Sequence, residues 1–131
     1  MKKISFHEKI FIAGSKGMAG SAISRAFRKH GYGSNAIGGK LLLPDRHELN
    51  LLDQNALDKW FEKNKPTVVV LAAAKVGGIL ANANSPADFL LENIKIQTNV
   101  IETSWKFGVK RFLFLGSSCI YPKFAKQPIK E

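Results

Sequence analysis

The chain has 131 residues, 45% of them hydrophobic and 23% charged, with a formal net charge of +10 and one cysteine. That length fits a single domain with a real core and leaves little room for a separate substrate lobe. The charge favours anionic ligands, but Lys and Arg are spread from Lys2 to Lys130 without a nucleic-acid motif, so nucleic acid is not the expected partner. A lone Cys119 cannot form an internal disulfide and suits a reducing cytosol. Ser5, His7 and Glu8 interrupt any signal-like apolar region, and the longest apolar run, residues 68–74, is far short of the ~20 residues that span a bilayer. A cytoplasmic chain without a membrane partner is expected. His7, His30 and His47 are scattered, with no Cys or His at zinc-ligand spacing, and no metal is expected.

In chain order, residues 9–13 form an apolar strand that enters a glycine turn. A helix follows over residues 18–30, with Met18, Ala22, Ile23, Ala26 and Phe27 at helical spacing. Gly31 to Gly33 end it, and residues 34–39 read as a polar loop. Leu41, Leu42 and Leu43 form a second strand that Pro44 stops. A short extended piece is expected over residues 48–51. Asp53 caps a helix over residues 54–64 whose apolar face carries Leu57, Trp60 and Phe61. Residues 67–72, β-branched and apolar throughout, read as a central parallel strand covered on both faces. Ser85 and Pro86 open a long helix to about residue 107, and residues 111–115 form the last strand. In that helix Leu90, Ile94, Ile101 and Trp105 share one face, while Phe89, Ile96, Val100 and Phe107 lie on others. One face meets the sheet; the second is more core or a subunit contact, with the contact preferred.

Strands alternating with helices in this way imply an α/β, Rossmann-like doubly wound parallel sheet, with its ligand crevice at the carboxyl ends of the strands. The loops at residues 14–20, 44–46, 72–78 and 116–123 all fall on that edge. Gly14, Ser15, Lys16, Gly17, Met18, Ala19 and Gly20 form a GxxGxxG loop between the first strand and first helix. There the backbone can approach a pyrophosphate and the helix amino terminus supplies N–H donors. Asp45 and Arg46 follow the second strand. Arg46 and Lys16 favour NADP, with solvated surface cations as the alternative. Ala72, Ala73 and Ala74 leave room for a flat cofactor or permit close helix packing. Asp53 could reach adenine, but its cap already explains it.

These features resemble the extended short-chain dehydrogenase/reductase family. The residues that carry the resemblance are Glu48-Leu49-Asn50-Leu51-Leu52-Asp53, Ala72-Ala73-Ala74-Lys75-Val76-Gly77-Gly78-Ile79, Pro86-Ala87-Asp88-Phe89 and Phe114-Leu115-Gly116-Ser117-Ser118-Cys119-Ile120-Tyr121-Pro122-Lys123. Ala125-Lys126-Gln127-Pro128 continue the last motif. Within the family they resemble the branch that converts GDP-4-keto-6-deoxy-D-mannose to GDP-L-fucose by 3,5-epimerisation and NADPH-dependent reduction.

The resemblance implies NADP(H) as cofactor and that nucleotide sugar as substrate, with Leu52, Leu115, Gly116 and Ser118 joining the cofactor contacts. It implies that Ser117 is the serine of a serine, tyrosine and lysine set, and that Cys119 exchanges protons at the carbons beside the ketone. Without the surrounding motif, Ser117 would read as a strand-end hydrogen bond and Cys119 as a small buried residue. Pro44 stands where the family often has an arginine, which leaves Arg46 alone there. The family continues with a YxxxK pair, a histidine acid and most of a substrate lobe. The 131 residues are therefore expected to be an incomplete cofactor domain without full activity. A homo-oligomer is expected through the helix at residues 87–107 or the open edge of the last strand. A noncatalytic module that binds a dinucleotide or nucleic acid is the competing reading.

Overall fold

Four valines and leucines at Val68–Leu71 form a strand buried along its whole length, which requires cover on both faces. In the computed structural model, which describes residues 3–117, 120–122 and 124–130, this strand (β3) lies inside a four-stranded parallel sheet. Its neighbours are β1 (Lys9–Ala13) and β4 (Arg111–Phe114), and β2 (Lys40–Leu42) pairs with the far side of β1. The spatial order is β2-β1-β3-β4, with Phe11 opposite both Leu42 and Val69.

Helices cover both faces. Alternation along β1 sends Ile10 and Ile12 to one side, where with Val68 and Val70 they pack on Ile23 and Phe27 of α1 (Met18–Lys29). Phe11 and Ala13 point the other way, into a core with Leu57 and Phe61 of α2 (Gln54–Asn64) and Val100 of α4 (Pro86–Lys106). Each such fully buried large side chain contributes ~1.5–3 kcal/mol. The α2 helix starts where the sequence indicates, because the Asp53 carboxylate accepts from the Ala56 N–H. A polar pin ties α2 to α4: Thr103 donates to Asp58, Gln54 donates to both, and Lys106 pairs with Asp58.

The structure departs from the sequence reading in four places. Residues 48–51 form no strand, because Asp45 accepts from the backbone N–H groups of His47, Glu48 and Leu49 and folds the segment into a turn. A short helix, α3 (Ile79–Asn84), lies in the predicted loop region, and Asn35–Ile37 form one turn of 3-10 helix. Met18, Ala22 and Ala26 of α1 face solvent. On α4 one face meets the core, as the sequence reading has it: Val100 is buried, whereas Leu90, Ile94, Ile101 and Trp105 are exposed.

Candidate functional site

The sheet order reverses direction at β1: β2 lies on one side of it and β3 on the other. The loops leaving β1 and β3 therefore diverge at their carboxyl ends, which is where a parallel α/β sheet opens a crevice. Gly14 leaves β1 in the left-handed region at φ +82°, and a Cβ there would stand 2.8 Å from the backbone of Ala73. Only glycine lets the first loop lie this close to the end of β3. The Gly17 N–H donates to the Gly14 carbonyl at 3.0 Å, and a Cβ on Gly20 would collide with that same carbonyl. Gly17 occupies the N-cap of α1 and has no side chain to bond the first-turn N–H groups. The backbone donors of Met18, Ala19 and Gly20 thus stay available to an anion.

A cavity of about 430 Å³ fills the crevice. Phe11, Ala13 and residues 14–17 of the glycine loop line it. One wall comes from Pro44, Asp45, Arg46 and the turn at residues 49–52, and the other from Ala72, Ala73, Ala74 and Lys75. Glu92 and Ile96 of α4 close it. The Ser15 hydroxyl is buried and has no hydrogen-bond partner among the described residues.

The charged groups around this cavity are positioned by specific partners. Backbone hydrogen bonds from Glu48 and His47, helped by the nearby charges of His47 and Lys16, hold the Asp45 carboxyl below its ordinary range. Lys75 pairs with Glu92 at 2.5 Å, and its ammonium stands 5.3 Å from the centre of the Phe89 ring. That hydrogen bond keeps the Glu92 carboxyl below the usual glutamate range.

Of the residues singled out in the sequence, Gly14, Ser15, Lys16, Gly17, Arg46, Leu52, Ala72, Ala73 and Ala74 line this one cavity. Met18, Ala19 and Gly20 are not among its lining residues; they form the first turn of α1, directly after the loop in sequence. Leu115, Gly116 and Ser117 are exposed beyond β4 and also lie outside its lining. Ser118 and Cys119 fall outside the described residues. Sequence reasoning missed Asn50, Leu51, Lys75, Glu92 and Ile96 as lining residues. Glu92 and Ile96 belong to a helix read for its apolar faces, and a polar residue facing a crevice has no periodic signature.

Residues 10–131 match the family described as NAD dependent epimerase/dehydratase. GDP-L-fucose synthase 1 of Arabidopsis thaliana is 52% identical over 123 residues, covering 94% of this chain and 36% of that protein. The GDP-L-fucose synthase of Escherichia coli K12 is 48% identical over 124 residues, 95% of this chain and 37% of the relative. Among solved structures, MlghC, a GDP-mannoheptose C4 reductase from Campylobacter jejuni with NADP bound, superposes with a TM-score of 0.87 at 41% identity. The match spans 98% of this chain and 38% of that one. A GDP-L-fucose synthetase from Naegleria fowleri bound to NADP gives 0.81 at 29% identity, over 98% and 37%. The chain thus spans about a third of the length of the curated relatives it matches. Among the described residues, no helix is long and apolar enough to cross a membrane.

Proposed function

Because this chain belongs to the NAD dependent epimerase/dehydratase family, we propose that it is the cofactor-binding portion of a GDP-L-fucose synthase-type enzyme and holds NADP(H) in the crevice between β1 and β3. The observation that carries this reading is the glycine loop pressed against Ala73, which leaves a cavity at the sheet's point of reversal. The donor set fits a dinucleotide. Free N–H groups at the start of α1 and the unpartnered Ser15 hydroxyl would meet a pyrophosphate. Apolar side chains of Leu49, Leu51 and Leu52 would flank a flat ring, and Arg46 and Lys16 would meet phosphate charge. Ala72, Ala73 and Ala74 keep the groove open.

When bound, NADPH supplies a hydride. The proposed substrate is GDP-4-keto-6-deoxy-D-mannose, taken to GDP-L-fucose, a reading supported by 48–52% identity to GDP-L-fucose synthases. The 4-ketone acidifies the C–H bonds at C3 and C5. Cys119, as thiolate, would remove a proton from one face, and a second acid would return one to the other. Ser117 would hydrogen-bond the carbonyl oxygen. Neither Tyr32 nor Tyr121 is followed four positions on by a lysine. The 131 residues alone are therefore proposed to bind cofactor without reducing a ketone. The proposed setting is the cytoplasm, and the proposed assembly is a homo-oligomer through the exposed apolar stripe of α4.

Titrating the chain with NADPH, followed by cofactor fluorescence, tests the reading. One saturable site per chain is expected, and its loss in Gly14→Val. Binding that does not saturate, or that survives Gly14→Val undiminished, would reject it.

A further inference from the structure

Five charged side chains among the described residues line the crevice cavity: Lys16, Arg46 and Lys75 are cationic, Asp45 and Glu92 anionic. A ligand that carries phosphates is attracted by the first three and repelled by the other two, unless their charge is already taken up. The Asp45 charge is taken up, because its Oδ1 accepts the N–H groups of His47 and Glu48. The Glu92 charge is met by a side chain instead: the Lys75 ammonium donates to its Oε1 at 2.5 Å. Arg46, on the wall across from Lys75, is near enough that its charge also favours the ionised Glu92 carboxylate.

The loop after β3 does not need this ion pair to hold its shape. Asn93 bonds both the N–H and the carbonyl of Lys75, at 2.8 and 2.9 Å, which fixes the backbone there. The side chains of Lys75 and Glu92 are 30% and 31% exposed, a setting in which an ion pair adds little to stability. What the pair does change is the field inside the crevice. Among the described residues the ion pairs are Lys75 with Glu92, Lys106 with Asp58 and Lys110 with Glu8, so Arg46 and Lys16 keep their charge. Without Lys75, an uncompensated carboxylate would stand in the cavity wall, with Arg46 the next cation in its field.

We propose that the pair of Lys75 and Glu92 sets how well this crevice accepts an anionic ligand: Lys75 is a positioning residue that occupies the Glu92 carboxylate and so leaves Arg46 and Lys16 free for the phosphates of a dinucleotide. The proposal rests on the cofactor reading above and deepens it. Two other roles would behave differently. If the pair were a mechanical latch, losing either partner would weaken binding alike. If Lys75 itself bound a phosphate, removing Glu92 as well would not restore what the loss of Lys75 took away. In the proposed role the two single losses act in opposite directions and cancel when combined.

The test is an NADPH titration of wild type, Lys75→Met, Glu92→Gln and Lys75→Met/Glu92→Gln at low and high salt, with thermal melting of each. At low salt Lys75→Met should bind about tenfold more weakly and Glu92→Gln about threefold more tightly, while the double variant returns to within about twofold of wild type. High salt should shrink all of these differences, because the charges are partly exposed, whereas the loss of a latch would persist. Weaker binding in both single variants overturns the proposal and leaves the cofactor site standing. So does a double variant as weak as Lys75→Met, or a set of differences that salt does not change. If Lys75→Met does not fold, the sign of Glu92→Gln decides alone: tighter binding upholds the proposal, and unchanged or weaker binding overturns it. A wild type that shows no saturable NADPH binding removes the cofactor site and the proposal together.

Discussion

Asn93 of α4 holds both backbone polar groups of Lys75: the Lys75 N–H donates to its Oδ1 at 2.8 Å, and its Nδ2 donates to the Lys75 carbonyl at 2.9 Å. One side-chain amide thus does for the loop after β3 what a neighbouring strand would do, and fixes the cavity wall that Lys75 and Ala74 form. The Lys75 side chain then returns to the same helix to pair with Glu92 over Phe89. In Asn93→Ala two half-buried backbone groups lose their partners, and stability should fall by ~1–3 kcal/mol. NADPH binding should weaken along with it. Asn93→Asp keeps the acceptor and loses the donor, so chemical denaturation should place it between wild type and alanine in the pH range where its carboxylate is charged. A denaturation midpoint unmoved in Asn93→Ala would show that the loop is held by other means.

Gly14→Ala combines two penalties at one atom. A left-handed φ of +82° costs a residue with a Cβ ~1–2 kcal/mol, and that Cβ meets the Ala73 backbone at 2.8 Å, with no flexible side chain to give way. The β1 and β3 loops must part. Expected results are a lower melting temperature and NADPH affinity reduced more than that of Gly78→Ala, where a Cβ would meet nothing within 4 Å. Equal effects at the two glycines would contradict the close approach.

Much of this was legible because the signals were local. Residues 9–13 and 54–64 stand as the sequence predicts them, the first as an apolar run closed by glycine and the second by Asp53 at its start and the apolar face of Leu57, Trp60 and Phe61. Residues 48–51 were not, because their alternation of polar and apolar residues mimics a strand while the Asp45 carboxylate captures the backbone donors instead. The cavity's glycines and alanines were readable from their place after strands. Asn93 and Glu92 were not, because the contacts they make bridge 18 and 17 positions to Lys75 and leave no mark on periodicity.

The pin between α2 and α4 should make stability depend on pH at both extremes. The hydrogen bond from Lys106 holds the Asp58 carboxyl below its ordinary 3.8, aided by Thr103 and Gln54. A native value below the unfolded one means the stabilisation is present above 3.8 and is lost as pH falls through the depressed native value. Lys106 is shifted the opposite way, above 10.5, chiefly by the same bond. Its contribution is present below 10.5 and is lost as pH rises through the raised value. Asp58→Asn should therefore flatten part of the acid limb of the denaturation profile and part of the alkaline limb. Thr103→Val, which removes the buried hydroxyl but keeps the ion pair, should retain the alkaline dependence. A profile for Asp58→Asn parallel to wild type at both ends would mean the pair adds nothing to the fold.

The last prediction concerns the face of α4 turned away from the core. Leu90, Ile94, Ile101 and Trp105 recur at steps of four and seven, the spacing of a single helical stripe, and Trp105 is 81% exposed. The opposite face already packs through Ile96, Val100 and Phe107, so the stripe is surplus to the core of these residues. If two copies meet along it, as proposed, a tryptophan in the contact is the type of side chain that carries ~2 kcal/mol or more of an interface. Trp105→Glu should then shift the chain toward monomer in sedimentation velocity across a concentration series, with the melting temperature at low concentration little changed. The open β4 edge offers a competing contact, since Leu113 is half exposed on a strand with one partner. Leu113→Lys separates the two: association that survives Leu113→Lys and fails in Trp105→Glu assigns the contact to the helix, and the reverse assigns it to the sheet edge.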